Sequence, residues 1–185
     1  MFRNIFFIIV LLNLNTFSSL AGTLTVTSAD NKKEYKKAYF AGGCFWCMEE
    51  SFDKVKGVIK SISGYSGGHV KNPTYRQVIY KDTGHVEAIE VLYDPKFTNY
   101  EELLKVFWVN IDPFDADGQF CDKGKSYRSV AFYQNQKEKK LIESSVSTIE
   151  KKFNKKKIVT LIWEFEIFYP AEDYHQNYYQ NNFLR

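Results

Sequence analysis

Between Lys37 and Phe168 the hydrophobic period of the chain keeps switching between strand and helix spacing, and this succession constrains the fold more than any single motif. "KAYFAGG" is a short apolar run closed by glycines, a strand. After Cys44, residues Phe45, Met48 and Phe52 fall at helical spacing, so a helix begins there with the cysteine in its first turn. "GVIKSISGYSGG" reads as a strand running into a glycine-rich loop, and "HVEAIEVLYDP" alternates until Asp94-Pro95 stops it. "TNYEELLKVFWVN" opens with Thr98 and Glu101 as a capping box and sets Leu103, Leu104, Phe107 and Trp108 on one side of a helix. "SVAFY" is a strand, the segment from Gln136 to Phe153 places Ile142, Val146, Ile149 and Phe153 on one helical face, and "IVTLIWEFEIF" returns as a strand. A strand must bury a face and a helix a stripe, so this order closes into layers: an α+β fold, a ferredoxin-like α/β sandwich with helices packed on a mixed sheet. The loops from Gly64 to Lys71 and from Asp112 to Lys125 are where chemistry is expected.

A chain of 185 residues suits one compact domain. Its net charge of +3 comes with lysines gathered in runs such as "KEKK" and "KKFNKKK", which read as solvated faces of a helix and its turn, so no nucleic acid partner is expected. Aromatic residues make up 17% of the chain and many lie beside glycines or acids, outside the periodic runs, where they would line a pocket. The opening "MFRNIFFIIVLLNLNTFSSLAGT" has Arg3, an apolar run from Ile5 to Leu12 and small residues ending at Ala21. That run is shorter than the roughly 20 apolar residues that span a bilayer, so residues 1–21 are expected to be a secretory signal cleaved after Ala21. The mature protein would be periplasmic or secreted, off the membrane and monomeric, with residues 22–36 a flexible lead-in and 37–185 the domain.

Three cysteines, Cys44, Cys47 and Cys121, cannot all pair within one exported chain, which leaves a thiol over for reactivity. In "AGGCFWCMEE" a cysteine at a helix start meets unsatisfied N–H groups and the positive end of the helix dipole, which favour its thiolate. Gly42 and Gly43 let backbone approach a substrate, and Phe45-Trp46 offer an aromatic wall. A Cys-x-x-Cys can also be half of a zinc site, with Cys121 and one of His69, His85 or His175 completing it, but no second closely spaced ligand pair supports that reading. A buried inert cysteine among core aromatics would account for Phe45 but not for the second cysteine or the glycine pair.

"GGCFWCMEESFDKVKGV", "SGYSGG", "NPTYRQV", "TGHVEAIEVLYDP", "LLKVFWVNIDP", "GKSYRS" and "YPAEDYHQNYY", in this order, resemble the peptide methionine sulfoxide reductase family that acts on the S epimer, over about Phe40 to Tyr179. The resemblance implies that Cys44 attacks the sulfoxide, that Phe45 and Trp46 hold the substrate's ε-methyl, that Glu87 is the acid beside the sulfoxide oxygen, that Tyr75 and Tyr127 hydrogen-bond that oxygen, and that Asp122 orders its loop. The product on sulfur would be a sulfenic acid, returned to thiol through a disulfide and a thioredoxin-like reductant, with no metal or organic cofactor. The chain ends "YYQNNFLR" without the cysteines that many relatives carry there, so resolution falls to Cys47 by proximity, with Cys121, beside Asp122, as competitor or relay. A thiol-disulfide oxidoreductase using Cys44 and Cys47 directly on protein disulfides is the alternative.

Overall fold

The computed structural model describes residues 34–182; the expected signal segment lies outside the described residues. The chain runs through β1 (Lys36–Gly42), α1 (Phe45–Asp53), β2 (Val58–Ser66), α2 (Tyr75–Tyr80), β3 (Val86–Tyr93), α3 (Tyr100–Val109), the short strands β4 (Gly118–Gln119) and β5 (Asp122–Lys123), β6 (Ser129–Tyr133), α4 (Gln136–Lys152), β7 (Leu161–Glu164), β8 (Phe168–Pro170) and α5 (Tyr178–Asn181).

Six strands form one sheet in the order β7-β6-β1-β3-β2-β8. Its central four, β6-β1-β3-β2, pair antiparallel throughout, the split βαβ arrangement of a ferredoxin-like sandwich. The parallel β6–β7 pair makes the sheet mixed, so the α+β reading of the sequence describes the fold. Period-two alternation in β1 decides what each face meets: Ala38 and Phe40 point to the helices, Tyr39 and Ala41 to the opposite side. On the helix side Phe40 stacks with Phe52, Tyr100 and Phe107 at centroid separations of 5.2, 5.7 and 5.2 Å, fastening α1 and α3 to the sheet. On the other face Tyr39 stacks on Phe165 at 3.7 Å, and its hydroxyl donates to Glu90 at 2.9 Å.

Two local readings are corrected. The cap of α3 is Asn99, whose side chain accepts from Glu102 N, and Thr98 lies one residue outside it, its own N–H donating to Asp94 O. "IVTLIWEFEIF" is also not one strand: Leu161–Glu164 pairs with β6 at one edge of the sheet, and Phe168 begins β8 on β2 at the other. Alternation persists through the break because Phe165 and Phe168 both pack under the sheet while the hydrogen-bonding partner changes.

Candidate active site

The site is built where β1 turns into α1. Gly43 sits at φ +80°, and a Cβ there would lie 2.5 Å from Gln119 Cβ, so only glycine lets the chain turn this close to the 112–119 loop. Gln119 is buried and grips Asp112 twice, accepting from its N–H at 2.7 Å and donating to its C=O at 2.9 Å. The turn delivers Cys44 to the N-cap of α1, where its C=O accepts from Met48 N and its side chain makes no capping bond. The sulfur is thereby left to Cys47, one turn on.

The two thiols titrate as a pair. Cys47, exposed, is lowered to about 6, chiefly by a hydrogen bond from Cys44 acting against burial, with the Tyr179 hydroxyl adding a second bond at 3.3 Å. Cys44, half-buried, is pushed up, first by that same bond to Cys47 and next by burial. Helix-start placement predicts Cys44 as the thiolate; in the coupled pair the hydrogen bond between the sulfurs lowers Cys47 and raises Cys44, so the direction of the shifts favours charge on Cys47.

Glu87 projects from β3 opposite Tyr65 of β2. It is 2% exposed, and its Oε2 accepts from Phe45 N at 3.0 Å, one of the unpaired donors of the first turn of α1. Burial, reinforced by Asp122 and Cys47 and opposed by the Phe45 N–H, raises it to about 8, so at neutral pH it is a carboxylic acid next to the helix start that carries Cys44. Tyr75 opens α2, behind a complete capping box of Thr74 and Gln77. Glu172 fixes it, one oxygen accepting from Tyr75 N and the other from Tyr65 OH, each at 2.9 Å. Tyr127, on the Lys125–Tyr127 turn, brings its hydroxyl within interacting reach of the Tyr75 hydroxyl. Burial raises both phenols, against a lowering of Tyr75 by Tyr127, and the acid Glu87 beside them raises them further, so both stay protonated.

Of the expected aromatic wall, Phe45 is 1% exposed and packs with Tyr65, Val78 and Ala171, whereas Trp46 is half-buried and stacks on Tyr178 at 3.7 Å. Asp122 lies on β5, close enough for its charge to bear on Glu87, Cys47 and Tyr127. Cys121 occupies the exposed turn between β4 and β5, after Phe120 at φ +48°. The structure thus gathers Cys44, Cys47, Glu87, Tyr75, Tyr127 and Asp122. Among the described residues no group of three or more His, Cys, Asp or Glu side chains is placed to hold a metal ion.

Sequence reasoning missed Glu49, Glu172, Tyr178 and Tyr179, and weighed His175 only as a possible zinc ligand. His175 is 2% exposed and packed against Phe45, Trp46 and Tyr75, where burial lowers it and keeps the ring neutral. Glu49, also 2% exposed, accepts from Asn177 N at 2.9 Å and is raised to about 7 by burial and then by Asp53. The crowding of acids and aromatics in "YPAEDYHQNYY" was the available sign, since acids and rings close together off the periodic runs must find partners elsewhere in the fold.

A free thiol paired with a second thiol, beside a buried carboxyl group raised by burial and two phenols, is the arrangement of a cysteine-based oxidoreductase. Residues 36–185 match the family model described as peptide methionine sulfoxide reductase. The chain is 51% identical over 150 residues to the peptide methionine sulfoxide reductase MsrA of Listeria monocytogenes serotype 4b, covering 80% of this chain and 85% of that one. It is 51% identical over 152 residues to the enzyme of the same name from Bacillus subtilis, covering 82% and 85%. Among solved structures, reduced Mxr1 from Saccharomyces cerevisiae superposes with a TM-score of 0.75 at 30% identity, covering 84% of this chain and 90% of that one. The chain belongs to the peptide methionine sulfoxide reductase family, as a thiol-dependent oxidoreductase.

Proposed function

We propose that the protein reduces the S epimer of methionine sulfoxide, free or within peptides and proteins, to methionine. The observation that carries the mechanism is the neutral Glu87 carboxyl group held by the Phe45 N–H at the helix start where Cys44 stands. As the Cys44 sulfur attacks the sulfoxide sulfur, its proton passes to the Cys47 thiolate and charge builds on the sulfoxide oxygen. Glu87 protonates that oxygen while the Tyr75 and Tyr127 hydroxyls stabilise it. Trp46 flanks the methyl group, with Phe45 packed behind. The oxygen ends on Cys44 as a sulfenic acid and methionine leaves.

Cys47 then resolves the intermediate: its sulfur bonds to Cys44, the S–O bond breaks and water is released. A short ring within one helical turn costs less chain entropy than recruiting the Cys121 turn. A thioredoxin-like dithiol restores both thiols by exchange at the exposed Cys47. The reaction is placed outside the cytoplasm, in the periplasm or beyond, on the strength of the signal pattern at residues 1–21. The direct disulfide oxidoreductase reading leaves Glu87 and the two phenols without a task.

The test uses each epimer of a methionine sulfoxide peptide with dithiothreitol, followed by a disulfide map after one equivalent of substrate without reductant. Cys44→Ser should abolish S-epimer reduction, and the map should show Cys44 joined to Cys47. Cys47→Ser should leave a sulfenic acid on Cys44. Reduction of insulin-type disulfides with no sulfoxide turnover would establish the alternative, and a Cys44–Cys121 bridge would transfer the resolving role to the β4–β5 turn.

A further inference from the structure

The resolving thiol has a neighbour that the reaction above leaves unused. α1 carries Trp46, Glu49 and Asp53 at steps of three and four, one face of the helix, and all three hold the C-terminal turn. Trp46 stacks on Tyr178 with planes 7° apart, Glu49 Oε2 accepts from Asn177 N, and Asp53 accepts from Gln180 Nε2 at 3.2 Å. Asn177 itself adopts a left-handed φ of +52°, which turns the chain into α5. Fixed at these points, α5 presents the Tyr179 hydroxyl to Cys47 Sγ at 3.3 Å. Tyr179 is 39% exposed, so water could solvate its hydroxyl, yet it is aimed at a sulfur.

We propose that Tyr179 is a positioning residue for resolution: docked by Trp46, Glu49 and Asp53, its hydroxyl donates a hydrogen bond to the Cys47 thiolate, keeping its own proton, and holds that sulfur charged and oriented toward the Cys44 sulfenic acid. The inference rests on the reading that Cys47 is the resolver. The direction of the bond follows from the charges around it. Cys47 faces Cys44 and Glu50 from its own helix, Glu87 from β3, Asp122 from β5 and Tyr179 from α5. Asp122 and Glu50 oppose a thiolate, Cys44 loses its S–H donor once it is oxidised, and Tyr179 is then the group among these that can still offer a phenolic proton. The tyrosine's own ionisation is pushed up, first by the bond to Cys47, which keeps it a donor. In the step it assists, Cys47 first gives up to solvent the proton it took from Cys44, its thiolate forms the S–S bond, the S–O bond of the sulfenic acid breaks, and the departing hydroxide takes a proton from solvent to leave as water.

A thiolate held by a charge-assisted hydrogen bond is more abundant at low pH but a weaker nucleophile, and the two effects have opposite signs in rate. If the bond is worth about one pH unit in the thiol, Tyr179→Phe should move the pH midpoint of disulfide formation alkaline by about that much. With a Brønsted coefficient of about 0.4–0.5, resolution then slows about threefold below the midpoint and quickens about threefold above it. The experiment oxidises the full-length enzyme with one equivalent of methionine sulfoxide peptide, quenches with an alkylating agent and follows Cys44–Cys47 formation by mass spectrometry across pH. One methionine released per enzyme shows that the variant is folded. The rate of Cys47 alkylation in the reduced enzyme is a second reading and should shift the same way. Superimposable profiles, or a loss of rate equal at every pH, overturn the role of Tyr179 while leaving Cys47 as resolver. A map joining Cys44 to Cys121 in the unsubstituted protein overturns the resolver itself, and the inference with it.

Discussion

Replacing Glu87 by glutamine should make the protein more stable and less active at once, and the size of the gain is set by the carboxyl group's burial. In the folded chain Glu87 is raised from 4.5 to about 8, mainly because its charged form would be stripped of water. Unfolded, it ionises normally. Between those two values the folded state binds the extra proton, so stability falls as pH rises and the penalty is complete above pH 8. A gap of this width corresponds to roughly 5 kcal/mol, an upper bound for a site that can relax or admit water. Glutamine carries no charge to desolvate and its carbonyl can still accept from Phe45 N. Urea denaturation of the reduced enzyme and of Glu87→Gln should therefore agree closely near pH 4 and diverge in favour of the variant by about 2–5 kcal/mol at pH 9. In single-turnover assays the variant should lose about 10²- to 10⁴-fold in the first step at pH 7, and the unsubstituted enzyme should decline above pH 8 as the acid titrates. A stability difference that does not change with pH would refute the desolvation argument, whatever happens to the rate.

Gly43→Ala should cost at least about 1–2 kcal/mol, read from urea midpoints, and slow Cys44 oxidation, because the new Cβ meets Gln119 in a left-handed turn. Asn99→Ala removes the cap of α3 and should lower stability by about 1 kcal/mol with turnover unchanged, since Asn99 stands at the opposite end of α3 from Asn110, the end that bonds α1 through Ser51. Mass spectrometry of protein recovered outside the cytoplasm should give Gly22 as the first residue; a chain still carrying Arg3 would overturn the reading of residues 1–21 as a cleaved signal.

Elements whose pattern is local were legible. The helix from Phe45 and the strand ending at Asp94-Pro95 follow from spacing and from residues that stop it, as do the α3 and α4 stripes. The cap of α3 was off by one residue because Thr98 and Asn99 each stand three residues before a glutamate, and only burial of Thr98 in the turn from Asp94 chooses between them. α2 has six residues, too few to show a period. The split of "IVTLIWEFEIF" depends on which neighbour supplies hydrogen bonds, a non-local fact that alternation does not encode. At the site, Cys44 was legible from its place at a helix start, whereas Glu87 and the two phenols were reached through resemblance, for on spacing alone Glu87 is an ordinary strand glutamate. The C-terminal contributors were hidden because Glu49 reads as helix surface until Asn177 and the turn after it cover it.

The break between β7 and β8 has a consequence for biosynthesis. Residues 161–170 supply both outer strands, β7 on β6 and β8 on β2. Until those residues have emerged, a growing chain that has already assembled β6-β1-β3-β2 exposes an unpaired ladder on each side. Such edges recruit other chains. The segment that follows, Glu172 onward, also brings the carboxylate that fixes Tyr75 and the ring that covers Trp46. Closure of the sheet and assembly of the reaction centre therefore wait on the same stretch, from Leu161 to Tyr178, and a chain truncated before Leu161 is both prone to self-association and chemically incomplete.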